Sequence, residues 1–168
     1  MRMGWTGLSS GWIEPGGGAA LWLVLGAAAV VTLLCIGIHY ETIRQLIAVL
    51  HRKEFRRSRP VLIAVVLVLF VAHLAEAALF ALTYHVVFAM LSGEHLVGPY
   101  DSSFVDTLYF SLAVYTTVGF GDIAPVGPVR LLVGVEALAG LVLITWSASF
   151  TFLMMQRIFA KDFDLDAR

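Results

Sequence analysis

The sequence has little charge and a single cysteine. Only 14% of its 168 residues are charged, whereas 60% are apolar, and a soluble domain of this size needs more charge to cover its surface. The one cysteine, Cys35, lies in an apolar run, where we expect it to be a packing residue. It can form no internal disulfide and offers no metal cluster. The composition therefore excludes a soluble domain.

Several other patterns are missing from the sequence. It contains no nucleophile–base set, no phosphate-binding loop and no metal-ligand cluster, so we expect neither enzyme activity nor a bound cofactor. The apolar segments do not alternate with a period of two, which disfavours an outer-membrane barrel. No nucleic-acid partner is expected.

Three apolar stretches are long enough to cross a bilayer, which takes about 20 residues of helix. They cover residues 19–39, 61–91 and 129–158. We therefore predict an all-α membrane protein with three transmembrane helices. The remaining segments would be an external N-terminal tail at 1–18, a basic cytoplasmic loop at 40–60 and a short cytoplasmic tail at 159–168.

The positive charges predict the orientation of these helices. Lys and Arg crowd the 40–60 segment and follow the third stretch, whereas none lies between Leu91 and Pro128. Because basic residues are retained in the cytoplasm, we expect a multi-pass protein of the cell (inner) membrane with its N-terminus outside and its C-terminus inside. Anionic lipid headgroups could bind the loop, but a topology signal alone is the preferred interpretation, because such basic loops are the rule. The basic residues in question are Arg52, Lys53, Arg56, Arg57 and Arg59.

A short apolar segment between the second and third stretches ends in an unusual sequence. Residues 103–115 open with the spacing of a helix cap, from Ser103 to Asp106, and are too short to cross a membrane, so we predict a re-entrant helix. Residues 116–122 then read TTVGFGD. Because Gly119 and Gly121 can take left-handed backbone angles, this strand can turn successive carbonyls to one side. Such carbonyls could replace the water around a cation, which the negative end of the preceding helix would also favour.

The heptad TTVGFGD resembles the signature of potassium channels, TVGYG, with Phe120 in place of Tyr. The preceding FVDTLYFSLAVY is similar to the pore helix of two-transmembrane and two-pore-domain potassium channels. Residues 61–158 as a whole resemble their P-loop pore domain, with an outer helix at 61–91, a pore helix at 103–115, a filter at 116–122 and an inner helix at 129–158. The resemblance implies a homotetrameric potassium-selective channel with K⁺ as its permeant ion. It implies no role for the first helix.

The resemblance also implies roles for individual residues. Oxygens that coordinate K⁺ would come from Thr117, Val118, Gly119 and Phe120. Gly121 would complete the filter, and Thr116 and Asp122 would flank it. On the inner helix, Gly140 would be the hinge glycine. The side chains facing the water-filled cavity would be those of Leu141, Ile144 and Ala148.

Three ionisable residues interrupt the apolar stretches. His73 and Glu76 share one helix face because they are three residues apart, and Glu136 lies about two turns into the third stretch. Charged residues at the bilayer centre cost a few kcal/mol, so we expect all three to face protein as a buried polar brace. The pore-helix residues within expected reach of Glu136 are Ser111, Tyr115 and Thr116.

Several interpretations stay open. The brace could sense protons at the filter or be a static network, because buried polar groups need partners in either case. A metal site there is not favoured, since the spacing shows no ligand set. Three of the other histidines, His39, His85 and His95, are expected at interfaces or in solvent. The chain could also be a nonselective cation channel or a non-conducting membrane subunit of the same fold.

Overall fold

Four helices and two short strands make up the described part of the chain. The computed structural model describes residues 17–52, 59–91, 93 and 95–166. The elements are α1 (Gly17–Arg52), α2 (Arg59–Met90), β1 (Leu96–Val97), α3 (Phe104–Tyr115), β2 (Ala124–Pro125) and α4 (Val129–Asp166). The helices α1, α2 and α4 each contain a span long and apolar enough to cross a membrane. The predicted all-helical membrane fold with three spans is confirmed.

Two helices are longer than the sequence suggested. We predicted a loop over residues 40–60, but α1 continues to Arg52 and α2 begins at Arg59. Neither Gly nor Pro occurs between Gly37 and Pro60, so the sequence contains no strong helix breaker there. The inner helix likewise continues through the predicted tail to Asp166.

Some predictions fall on residues that the structure does not describe. The N-terminal tail up to residue 16 lies outside the described ranges. So do Lys53, Arg56 and Arg57 of the proposed lipid contact, and for Arg52 and Arg59 only the backbone is described. The lipid contact therefore stays a prediction.

The first helix packs against both α2 and α4. It runs antiparallel to α2, because His39 contacts Glu76 while Ile43, one turn later, packs with Val65. Five residues of α1 form a stripe of buried positions three or four apart, the spacing of one helix face. They are Val24, Ala28, Val31, Cys35 and His39. Cys35 is thus a buried packing residue, as expected.

The inner helix α4 runs antiparallel to α2 and parallel to α1. Along α2, His73 contacts Ser147 while Tyr84 contacts Glu136, so the residue numbers run in opposite directions. The C-terminal end of α1 also meets α4 just past its middle, because Leu50 and Phe150 pack on the same apolar cluster. The C-terminal end of α1, the N-terminal end of α2 and the C-terminal half of α4 therefore lie on one side of the bundle.

A two-stranded antiparallel ladder holds the segment between α3 and α4. Leu96 pairs with Pro125, and Val97 pairs with Ala124. Next to the ladder, Gly98 has φ +126°, and a Cβ atom there would lie 2.1 Å from the carbonyl oxygen of Asp122. No side chain fits in that gap, so Gly98 allows the two segments to touch. We did not predict this ladder from the sequence.

Candidate functional site

The short helix α3 is fixed at its start by side chains. Ser103 is its N-cap residue and accepts a hydrogen bond from the backbone N–H of Asp106 at 3.1 Å. Asp101 in turn accepts one from the N–H of Ser103 at 2.8 Å. Hydrogen bonds from Ser103 hold the pKa of Asp101 below its usual range. The predicted pairing of Ser103 with Asp106 is present, and α3 ends at Tyr115 as predicted.

The predicted filter, residues 116–122, which we call the filter segment, takes left-handed backbone angles at every second residue. The φ angles are +60° at Thr117, +51° at Gly119 and +78° at Gly121. Glycine adopts such angles at no steric cost, whereas a residue with a Cβ pays about 1–2 kcal/mol. Strain of this kind concentrates at functional sites. The glycine angles match our expectation, and the left-handed Thr117 is a feature that sequence reasoning missed.

The backbone amides of the filter segment turn toward α3. The N–H of Thr117 donates to the carbonyl of Val114 at 2.8 Å, and the N–H of Gly119 donates to that of Ala113 at 3.0 Å. In a trans peptide, the carbonyl points opposite to the N–H of the following residue, and the described chain has no cis peptide. The carbonyls of Thr116 and Val118 therefore point away from α3.

The filter segment lies on the surface of the single chain. Val118 is 56% exposed and Phe120 is 67% exposed. The ring of Phe120 stacks nearly parallel on Tyr109, with 6.1 Å between the ring centroids. The Tyr109 hydroxyl donates to Asp122 at 2.8 Å and so holds the pKa of that carboxyl below its usual range. Tyr109 thus contacts both ends of the Phe120–Asp122 turn, a role that the sequence did not reveal.

The inner-helix residues predicted to line the cavity share an exposed face. Leu141, Ile144 and Ala148 are three or four residues apart and are all exposed in the single chain. Gly140 lies beside them but is buried against α3. A Cβ atom at position 140 would lie 2.0 Å from the carbonyl oxygen of Tyr115. The helix is continuous through Gly140.

The structure brings Glu136 to the pore helix, where Ser111 donates to it at 2.5 Å. The hydroxyl of Tyr84 on α2 donates to the other carboxylate oxygen. Ser111 also contacts the carbonyl of Ala77 at 2.7 Å. Of the three partners expected from sequence, Ser111 contacts Glu136, while the hydroxyls of Tyr115 and Thr116 bond elsewhere. Tyr84 had not been expected as a partner.

A second buried group of polar side chains, which we call the histidine cluster, joins all four helices. Its members are His39 of α1, His73 and Glu76 of α2, Tyr115 of α3 and Ser147 of α4. The prediction for His39 was wrong, because its side chain is fully buried instead of lying at an interface. A usable signal existed, since His39 follows Cys35 by four residues on the buried stripe of α1.

The histidine cluster reaches the residue that precedes the filter segment. Tyr115 donates to Glu76 at 2.5 Å, and His73 lies 2.9 Å from the same hydroxyl. Tyr115 is followed directly by Thr116. The cluster and Glu136 are therefore two separate supports behind α3, joined through the stretch of α2 that holds Glu76 and Ala77.

The fold and the site define a channel protein. Residues 61–157 match the family of ion channels, and the chain belongs to that family. The chain is 33% identical over 86 residues to the inward rectifier potassium channel Kirbac3.1 of Paramagnetospirillum magnetotacticum. That match covers 51% of this chain but only 28% of the relative's length. No solved structure matches the chain significantly. The recognition of the pore-domain superfamily from TTVGFGD is confirmed.

Proposed function

We propose that this protein is a potassium-selective channel whose filter is residues 116–122. Carbonyl oxygens of Thr117, Val118, Gly119 and Phe120, with the hydroxyl of Thr117, would coordinate the permeant K⁺. The observation that carries the proposal is the alternation of left-handed angles at Thr117, Gly119 and Gly121. Alternating backbone angles are what a strand needs in order to present successive carbonyls to one side. The potassium-channel relative supports the same ion.

A ladder of carbonyls selects a cation by replacing its hydration shell. The amides of Thr117 and Gly119 are already bonded to α3, so they cannot bind an anion. The C-terminal end of α3 adds a negative partial charge beside the segment. No charged side chain of the described residues is needed to hold the ion. We expect passive permeation of K⁺, with no enzymatic step and no bound cofactor.

The channel would be a homotetramer. One chain supplies a single filter strand, which is exposed along its whole length. Unpaired backbone carbonyls at membrane depth are tolerated only where protein or a water path surrounds them. Four copies around one axis would enclose the strands, and the exposed face of Leu141, Ile144 and Ala148 would then line the cavity below the filter.

The orientation follows from charge. The C-terminal end of α1, the N-terminal end of α2 and the C-terminal part of α4 lie on one side of the bundle, and the sequence concentrates basic residues at and between these ends. That side would be cytoplasmic, with the N-terminus outside, in the cell (inner) membrane. Arg52, Lys53, Arg56, Arg57 and Arg59 would then face the anionic headgroups of the inner leaflet.

Recording from the purified protein in lipid bilayers tests the proposal. Opposed K⁺ and Na⁺ gradients should give a reversal potential that follows K⁺, and Gly119→Ala should abolish the current because Ala resists the left-handed angle. Gly134→Ala is the matched control, since Gly134 has no positive φ and open space at its Cβ. Cross-linking in mild detergent should stop at four chains. A reversal potential near zero would identify a nonselective cation channel, and absence of current a non-conducting subunit.

A further inference from the structure

The histidine cluster has an unusual arrangement of nitrogen and oxygen atoms. Nδ1 of His39 lies 3.0 Å from one oxygen of Glu76, and Nδ1 of His73 lies 3.1 Å from the other. Both Nε2 atoms face the hydroxyl of Ser147, at 3.3 Å from His39 and 3.0 Å from His73. The two imidazoles are therefore oriented alike, with one nitrogen toward a carboxylate and the other toward a serine.

Ser147 can accept hydrogen bonds from both imidazoles when each ring carries its proton on Nε2. A hydroxyl oxygen has two lone pairs, so Ser147 can accept an N–H from His39 and another from His73. Both Nδ1 atoms are then unprotonated and direct lone pairs toward Glu76, which is itself an acceptor. In the other tautomer both Nδ1–H groups donate to Glu76, and the single hydroxyl hydrogen of Ser147 can reach only one of the two Nε2 atoms. In the first tautomer, the acceptors that face one another in this buried site need a cation between them. Additional protons could supply it, and so could a metal ion.

We propose that His39, His73 and Glu76 form a binding site for a divalent transition-metal ion of the Zn²⁺ type. Two imidazoles and one carboxylate are a ligand set that Zn²⁺ uses, with ligand distances of about 2.0–2.2 Å. In a tetrahedral site such ligands lie about 3.3–3.5 Å from one another. The nitrogen–oxygen separations of 3.0 and 3.1 Å are close to that, and all three donor atoms lie within 4.8 Å of one another. The two histidines face different oxygens of Glu76, so side-chain rotations that bring both imidazoles onto one ion would complete the site.

The surroundings favour a transition metal over a hard cation. Ca²⁺ and Mg²⁺ prefer oxygen ligands, whereas two of the three donors here are imidazole nitrogens. Ser147 would accept the outer N–H of both histidines, the arrangement that fixes imidazole orientation in metal sites. Tyr115 donates to Glu76 at 2.5 Å and would orient the carboxylate. In the single chain, the His73 side chain is 19% exposed, while His39 and Glu76 are fully buried.

This site would explain the attachment of the first helix. His39 comes from α1, which lies outside the matched pore domain of residues 61–157. His73 and Glu76 come from α2, within that domain. A bound ion would tie the two parts together at a point one hydrogen bond from Tyr115. The proposal does not rest on the ion that the channel conducts.

Zinc binding by the purified full-length protein tests the site. Protein treated with EDTA and titrated with ZnCl₂ in a calorimeter should bind one ion per chain and should melt at a higher temperature when loaded, whereas MgCl₂ should do neither. His39→Gln and His73→Gln should lower the affinity at least about tenfold, and Ser147→Ala about tenfold through lost orientation. His85→Gln is the control for an unrelated histidine of α2. Cys35→Ala is the control for the nearby thiol, which lies 3.8 Å from the Glu76 carbonyl.

Three results would overturn the proposal. One is the absence of saturable zinc binding, which would make the cluster a hydrogen-bonded network only. Another is an unchanged affinity in His39→Gln, and a third is an equal loss in His85→Gln. Where a variant fails to assemble, X-ray absorption of the zinc-loaded parent decides. Two imidazoles per zinc are expected, and a sulfur ligand or a shell without imidazole would refute the site.

Discussion

Replacing Glu136 by Leu should leave one buried donor without a partner. Glu136 and Tyr84 are both fully buried, and the Tyr84 hydroxyl donates to the Glu136 carboxylate. The Ser111 hydroxyl is affected less, because it can still donate a hydrogen bond to the carbonyl of Ala77 at 2.7 Å. A buried hydroxyl that loses its acceptor costs about 1–3 kcal/mol. The penalty should therefore fall mainly on Tyr84.

Three replacements at position 136 should differ in a set order. Glu136→Gln keeps an oxygen that can accept from Tyr84, so we expect a loss below about 1 kcal/mol. Glu136→Leu keeps the volume but removes the acceptor. Glu136→Ala removes the acceptor and also leaves a cavity, which adds to the cost. The expected order of stability is therefore parent, Gln, Leu and Ala, and the open probability should follow it, because Ser111 belongs to the pore helix.

A double-mutant cycle isolates the contribution of the pair. Glu136→Leu also removes a buried carboxyl, which by itself can stabilise a protein, so the single variant mixes two effects. In Tyr84→Phe with Glu136→Leu, donor and acceptor are both gone. The double variant should be more stable than the sum of the single changes predicts, by about 1–3 kcal/mol. Unfolding in a denaturing detergent measures this, and Tyr40→Phe, at a half-exposed tyrosine of α1, is the control. Additive effects, or a Glu136→Leu variant that equals the parent in stability and open probability, would refute the reasoning.

Three further predictions concern the ends of the filter segment. Gly98→Ala should lower the melting temperature and disturb conduction, because its Cβ would clash with the Asp122 carbonyl. Gly93→Ala is the control: Gly93 has φ +100° but open space at its Cβ, so the variant should show only the smaller cost of backbone strain. Tyr109→Phe should raise the pKa of Asp122 toward its usual value. Since the hydroxyl stabilises the carboxylate, the stability difference from the parent should be present above about pH 4 and vanish as Asp122 is protonated in more acidic solution, measured by melting against pH. Gly140→Ala should destabilise the protein more than Gly134→Ala, since only the former meets the Tyr115 backbone.

The features predicted well from the sequence are local ones. The cap of α3 needs only Ser103 and Asp106, three residues apart, and the left-handed angles need only Gly119 and Gly121. In each case the residue type itself limits the backbone, so few alternatives remain. The three apolar spans are equally local, because length and hydropathy alone define them. Their ends were less well predicted, since a helix with no Gly or Pro can continue past its apolar run.

The features that were missed depend on residues far apart in the sequence. Tyr84 meets Glu136 across 52 positions, and His39 meets Ser147 across 108. The sequence indicated that Glu76 and Glu136 need partners, because burial of an unpaired acid is costly. It could not indicate which partners, since that depends on how the helices pack. The first helix is the clearest case. The resemblance to potassium channels implied no role for it, yet its buried histidine joins the cluster behind the pore helix.

Gly140 shows how one residue can satisfy two different demands. The resemblance to potassium channels assigns it as a hinge, which relies on the low helix propensity of glycine. In the structure, the helix is unbroken at this position and the backbone of Tyr115 occupies the space a Cβ would need. A glycine is therefore required here even if α4 never bends. If α4 does bend at this point, the Tyr115 carbonyl must move relative to it, and with it the start of the filter segment. Bending of the inner helix and the geometry of the filter would then be coupled through a single close contact between two backbones.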